Sequence, residues 1–324
     1  MKRREFIAVF GVAAVCPIVA QAQQGRRVPQ VGYIDAESRS AGIEGLLSGL
    51  RELGYVDGQN IRLVRQQFAA PTVKQMREAI LAVLPKVDIL VVGGTVGGVA
   101  AKSATSDIPV VFISVGAPVD IGLVKSLAKP GGNMTGVTFE AAEETYAKRL
   151  QLLTEIMPGL SRVAVLGAVG DPNFPFAMIS LRQSAPGLRV SITSLELNSA
   201  EDLRRAFDEM KQTQMQAVLV VSGALTYGSI KETADLALAN RLPSCHGFKE
   251  AVAAGGLISL GPDLVSLGRQ SARLVDKIIR GERPGDIPVE QPTQYVMSIN
   301  LRTAKALNLV VPPSMLARAD EVIE

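Results

Sequence analysis

Residues 88–94, DILVVGG, and 109–116, PVVFISVG, are the stretches that decide the fold. Each is a short β-branched run ending in glycine, and neither alternates apolar with polar residues. A strand that is apolar on both faces has to be covered on both, as a central strand of a parallel sheet flanked by helices is. Working outward, strand-like runs recur at Val28–Ile34, Ile61–Phe68, Val163–Val169, Leu188–Leu197, Ala217–Val221, Leu257–Leu260 and Gln294–Ile299. Helix-period segments lie between them, at Ile43–Leu53, Val73–Leu84, Ala141–Met157, Ala200–Gln212, Ile230–Asn240 and Leu264–Arg280. Alternating units of this length imply right-handed crossovers and doubly wound parallel sheets.

The pattern occurs twice, from Val28 to Val115 and again from Val163 to His246. KPGGNMTGVTF (129–139) separates the halves, and GGLISLGPD (255–263) and EQPTQYVMSINL (290–301) are again extended and flanked by Gly or Pro. Three extended crossings describe a clamp whose hinge strands pass back and forth, and a chain of 324 residues exceeds what one core usually serves. The fold class is α/β, two lobes with parallel sheets joined by three hinge crossings. Lobe one is expected over residues 23–138 with 258–290, and lobe two over 139–257 with 291–324.

Export is the expectation for the N-terminus. Lys2, Arg3 and Arg4 precede an apolar stretch from Phe6 to Ala20, and Ala20-Gln21-Ala22 forms a small-residue cleavage site, so residues 1–22 read as a signal peptide. The apolar run is shorter than the roughly 20 residues needed to span a bilayer. Arg3-Arg4-x-Phe6-Ile7 also resembles a twin-arginine signal, with Lys2 where Ser or Thr is usual, and both export routes stay open. Cleavage removes three basic and one acidic side chain from 34 and 31, leaving a net charge of +1. That balance, with scattered basic residues and no Trp, argues against a nucleic-acid partner. Cys245 alone remains after cleavage, so no internal disulfide is expected.

Catalytic equipment is sparse. His246 is the single histidine, and there is no G-x-S-x-G, H-E-x-x-H, C-x-x-C or Walker A loop. No cofactor, no metal and no catalytic residue are expected. Gly93-Gly94-Thr95-Val96-Gly97-Gly98 follows a strand and opens a helix, but its spacing is not that of a dinucleotide fingerprint. What survives is position: Gly94 and Thr95 lie at a strand's C-terminal end, where such sheets bind ligands. Asp35 to Ser38, Ser114 and Gly116, Asp171 to Asn173, and Ser222 occupy equivalent places. Small polar residues at strand ends of both lobes suit a buried polar ligand. Phe139 on the first crossing and Phe248 after the last lobe-two strand are candidate cleft walls.

Several strings together resemble one family. They are LRELGYVDGQNIRL (50–63), LVVGGTVGGVAAKSATSDIPVVF (90–112), GLVKSLAKPGGNMTGVT (122–138), KRLQLLTEIMPGLSRVAVL (148–166), GFKEAVAAGGLISLGPDL (247–264), PVEQPTQYVMSINLRTAKALNL (288–309) and VPPSMLARADEVIE (311–324). The chain is similar to the substrate-binding proteins of ABC transporters in the tryptophan/tyrosine-type uptake group. The resemblance implies a periplasmic binding protein of type I-like fold, with two Rossmann-like lobes closing over a small solute. It implies separately encoded permease and ATPase partners, a monomer, and no enzymatic role. Three positions depart from the pattern: Ala117 stands where an acidic residue is common, Leu260 where a polar or aromatic residue is, and His246 where Tyr is.

The expected ligand set is therefore Asp35, Ser38, Gly94, Thr95, Ser114 and Gly116 from lobe one, with Phe139, Asn173, Ser222 and Phe248 from lobe two. For an amino-acid ligand, Asp35 or Asp120 would pair with the ammonium while backbone N–H groups near Thr95 hold the carboxylate. Two other readings remain open from the sequence: a sensor docking on a membrane signalling receptor, and an exported α/β enzyme.

Overall fold

The computed structural model describes residues 27–36, 40–68, 72–139 and 142–324. Residues 1–22, read above as an export signal, and Ser38 lie outside them. The first half builds β1 (Gln30–Ala36), α1 (Ser40–Glu52), β2 (Arg62–Phe68), α2 (Val73–Val83), β3 (Ile89–Gly93), α3 (Gly94–Ala104), β4 (Val110–Val115) and β5 (Met134–Thr138). These strands form one sheet in the order β2-β1-β3-β4-β5, parallel throughout. Every residue of β3 and of β4 is buried, as the two opening stretches required. Their alternate side chains feed two cores. Val91, Val111 and Ile113 join the α1 side, whereas Leu90, Val92 and Phe112 join Met76 and Ile80 of α2 and Ala100 of α3. β2 is the edge strand, and its Arg and Gln side chains face solvent.

The second half adds α4 (Ala142–Ile156), β6 (Arg162–Ala168), α5 (Phe174–Ser184), β7 (Ser191–Leu197), α6 (Leu203–Gln212), β8 (Ala217–Val220), α7 (Ala224–Gly228), α8 (Ile230–Ala239), β9 (Ser244–His246), α9 (Lys249–Ala253) and β10 (Ile258–Pro262). It ends with α10 (Leu264–Ile279), β11 (Tyr295–Asn300), α11 (Leu301–Ala306), α12 (Pro313–Leu316) and β12 (Glu321–Ile323). The sheet order is β12-β11-β10-β9-β8-β6-β7, with β10 and β11 the antiparallel pair. Apolar residues at helical spacing cover it, as Leu203, Ala206, Phe207 and Met210 of α6 do on one face.

The chain crosses between sheets after β5, after β10 and before β11. The first and third crossings run side by side, since Thr138 N–H donates to Glu290 O at 2.9 Å and Glu290 N–H to Gly136 O at 2.9 Å. One boundary differs from expectation. Residues 258–262, assigned to lobe one, form β10, which pairs with β9 and β11 in the second sheet. The reason is local: Leu257 and Ile258 point into the second core, and the return to the first begins only where Asp263 caps α10, accepting from Ser266 N–H at 2.8 Å. α10 then packs along α1 through Gly45 and Gly49 facing Val265, Arg269 and Ala272. The strand expected from Leu188 starts at Ser191, because Pro186–Leu188 closes a 3-10 turn and Arg189 adopts a φ of 57°.

Candidate functional site

The C-terminal ends of both sheets face one another, and a single set of residues from these ends encloses a cavity. β1 ends in Asp35, which is buried; its carboxylate accepts from Tyr33 Oη at 2.8 Å and from Ala36 N–H at 2.7 Å. It sits directly over Gly93, where a Cβ would lie 1.8 Å from Asp35 Oδ2, so this glycine makes room for the acid. β3 delivers Gly94 and Thr95 at the start of α3, and Gly116 N–H donates to Thr95 Oγ1 at 3.1 Å. β4 delivers Ser114 with a φ of 64°, a left-handed conformation unusual for a residue other than Gly, Asn or Asp. Strain of this kind, at a cavity wall, marks a position that the surrounding structure holds for its side chain.

Lobe two mirrors this arrangement. After β6, Asp171 accepts from Asn173 N–H at 2.9 Å and lies over Gly223, where a Cβ would come within 2.1 Å of Oδ2. Asn173 Nδ2 donates to Tyr146 Oη at 2.9 Å and to Ser222 O at 3.0 Å, tying the ends of β6 and β8 to α4. Its Oδ1 faces Gly116 across the cleft; a Cβ on Gly116 would lie 2.5 Å from it. Phe139, Phe248 and Tyr227 form an aromatic wall, with ring centroids 4.9 Å apart for Phe139–Phe248 and 4.5 Å for Tyr227–Phe248, the latter edge-on. The fully buried Arg149 backs this wall, its guanidinium 4.8 Å from the Tyr146 ring and 6.0 Å from Phe139, and its Nε donates to Leu260 O at 2.8 Å.

The structure thus brings nine of the ten expected residues to one cavity: Asp35, Gly94, Thr95, Ser114, Gly116, Phe139, Asn173, Ser222 and Phe248. Asp120 is exposed and lies outside the lining. Met76, Val96, Asp171, Gly223 and Ala224 also line it. Asp171 sat within a strand-end string already noted, but nothing in the local pattern of α2 distinguishes Met76 from an ordinary core residue. On α4, Tyr146 likewise reads as a core residue and Arg149 as a solvent-facing one. Ser114 Oγ and Ser222 Oγ, one from each lobe and both more than nine-tenths buried, have no hydrogen-bond partner among the described residues. Buried hydroxyls of this kind are costly unless something pairs with them.

No group of three or more His, Cys, Asp or Glu able to hold a metal occurs among the described residues. No helix there is long and apolar enough to cross a membrane. Burial pushes the Cys245 thiol up to about 12, so it carries no thiolate at neutral pH. His246 is outside the lining, and burial, joined by the Arg149 charge, pushes its imidazole down to about 3. Below its unfolded value of 6.5 the unfolded chain takes up a proton that the folded chain refuses until about 3. The unfolded state binds more protons in that window, so stability falls as pH drops through it, by up to about 1.4 kcal/mol per unit. Urea unfolding of His246→Gln should show a shallower acid decline between these limits than the parent chain; parallel curves would refute the assignment.

Two mostly parallel sheets facing each other over a cavity and joined by three crossings are the architecture of a periplasmic-binding-protein clamp. Residues 28–323 match the family model for ABC transporter substrate binding proteins, and the chain belongs to that family. It is a substrate-binding protein and not an enzyme, of a family whose members are extracellular or periplasmic and work with transporter components. It is 27% identical over 268 residues to a tyrosine-binding protein of Clostridioides difficile, covering 82% of this chain and 76% of that one. A conserved domain protein from Vibrio cholerae superposes with a TM-score of 0.84 at 26% identity, over 91% of this chain and 100% of the other. A Streptococcus pneumoniae ABC domain in complex with L-Trp shares the fold, with a TM-score of 0.84 at 22% identity over 91% and 99% of the two chains.

Proposed function

We propose that this chain is the periplasmic solute receptor of an ABC importer, exported by cleavage near Ala22, and that it captures an amino-acid-like solute between its lobes. The observation that carries this reading is the cavity at the facing strand ends, lined by buried polar residues of both lobes, among them Asp35, Ser114, Asn173 and Ser222. Asp35 and Asp171 supply carboxylates for an ammonium group. The N–H groups opening α3 at Thr95 and Val96 supply donors for a carboxylate. The names of the tyrosine-binding relative and of the L-Trp complex support an amino acid as the ligand class.

A solute touching both sets of strand ends favours the closed clamp, because only that arrangement makes all the contacts. The lobes move as units, residues 23–138 with 264–290 against 139–262 with 291–324, the chain acting as a monomer. The closed form then presents both lobe surfaces to separately encoded permease subunits, whose ATPase drives uptake. The test is a thermal-shift series on ligand-free mature protein against amino acids, amines and organic acids. A ligand at 100 times its dissociation constant adds about 2.7 kcal/mol, or several degrees at this size. Asp35→Asn should abolish the shift while leaving the unliganded melting point within a few degrees. Flat curves across the whole panel would overturn the receptor reading.

A further inference from the structure

Resting on the reading that the lobes close over a solute, we infer that Lys249 grips the second crossing from lobe two through an ion pair with Asp263. That pair lies outside the cavity, holds the lobes toward the closed arrangement and so sets how tightly the solute is kept. The arrangement seen here is a closed one. A Cβ on Gly116 would come within 2.5 Å of Asn173 Oδ1, and Tyr227 and Phe248 of lobe two share one buried cluster with Ile43, Leu264 and Leu267 of lobe one. The three crossings are anchored unequally. The first and third are bonded to each other through Glu290, and Gln270 Nε2 and Arg273 Nη2 of α10 donate to its carboxylate, each at 3.2 Å, which holds both crossings to lobe one.

The second crossing differs, because Asp263 bonds to both lobes. Its Oδ1 accepts from Ser266 N–H at 2.8 Å and caps α10, whose Leu264 and Leu267 pack in the lobe-one core. Its Oδ2 lies 2.9 Å from Lys249 Nζ. Lys249 belongs to lobe two: its Nζ also donates to Glu321 Oε1 at 3.1 Å, and Ser298 Oγ of β11 donates to Glu321 Oε2 at 3.0 Å. Gly247 and Gly261 interlock beside it, a Cβ on Gly261 falling 1.8 Å from Gly247 O, so the turn carrying Lys249 is fixed to the end of β10. Any swing of α10 about that end moves Asp263 relative to Lys249, so the pair keeps this geometry only in the closed arrangement. The Asp263 side chain is 15% exposed, which shields the pair from the screening that makes surface ion pairs weak. The hydrogen bond to Asp263 is also the chief reason that the Lys249 ammonium is held above the usual lysine range. Phe248, the residue before Lys249, lines the cavity, so a solute packed against it steadies the same turn that holds the crossing.

The experiment measures the closed population of the mature protein without any solute, so its failure and that of the receptor reading can be told apart. Gly116→Cys and Asn173→Cys place two thiols face to face across the closed cleft, and their rate of joining in a fixed glutathione buffer follows the fraction of time spent closed. Cys245 is buried and takes no part. In that background Lys249→Met and Asp263→Asn should each slow trapping about three- to tenfold, and Lys249→Arg should restore most of the rate. Asparagine caps a helix as well as aspartate does, so Asp263→Asn removes the ion pair and keeps the cap. Both changes together should slow trapping no more than either alone. Small-angle scattering of the same single variants without the added cysteines covers a parent that is closed most of the time, since both should then raise the radius of gyration. A melting curve for each variant establishes that it has folded. Unchanged trapping together with an unchanged radius would overturn the proposal. So would a slowing by Lys249→Met that Asp263→Asn does not reproduce, because Lys249 would then act through Glu321 alone.

Discussion

Gly45→Val should lower stability by about 3 kcal/mol or more, with a melting point reduced by roughly 6–12 °C. A Cβ on Gly45 would lie 2.0 Å from Val265 O, a backbone atom of α10 that no rotamer change can move. The facing helix is equally tight, since a Cβ on Gly268 would come within 2.1 Å of Gly42 O. Accommodating valine therefore requires α1 and α10 to separate along their length, opening the core where Leu46, Leu50, Leu267 and Leu274 meet. Removing glycine from a helix gains up to about 1 kcal/mol of propensity, less for a β-branched residue, so the clash decides the sign. Gly187→Ala is the control, as nothing lies within 4 Å of its added Cβ. Chemical denaturation of both variants checks the expectation, and a Gly45→Val curve overlying the parent's would show that the helices can part at no cost.

Gly116→Val should weaken solute binding by roughly tenfold to a hundredfold while leaving the melting point of the unliganded protein nearly unchanged. The added methyls meet Asn173 Oδ1 across the cleft, and Asn173 is held by its two Nδ2 hydrogen bonds to Tyr146 Oη and Ser222 O. Strain of about 1–3 kcal/mol then falls on the closed form alone, because opening the lobes relieves it. Loss of affinity without loss of stability separates this effect from a folding defect. Gly116→Ala should fall between parent and Val. Titration with whichever solute the parent binds is the readout. Undiminished affinity in Gly116→Val would mean that the lobes close without bringing these two positions together.

How far the site was legible from sequence can be followed residue by residue. Asp35, Thr95, Ser114 and Ser222 were found because a polar residue just past an apolar strand has few places to go in a parallel sheet except its C-terminal rim. The strand alone does not say which rim residues turn inward. Asp120, five residues past the end of β4, is exposed, whereas Gly116, directly after it, lines the cavity. Met76 was missed because its apolar helical periodicity is the same whether it faces a core or a cavity. Arg149 was missed for a related reason: an arginine on an amphipathic helix ordinarily faces solvent, and only the convergence of Tyr146, Phe139 and β10 buries it.

The sequence by itself determined the alternation of strands and helices, the two sheets, the three crossings and the polar strand ends, because hydrophobic period and glycine placement are properties of neighbouring residues. Tertiary structure alone decided that β10 belongs to the second sheet, so that the return to the first begins only at α10. It also decided that Gly116 meets Asn173 across the cleft. Those are contacts between residues far apart in the chain, set by how two packed lobes fit against each other, and no local pattern encodes the gap left between them.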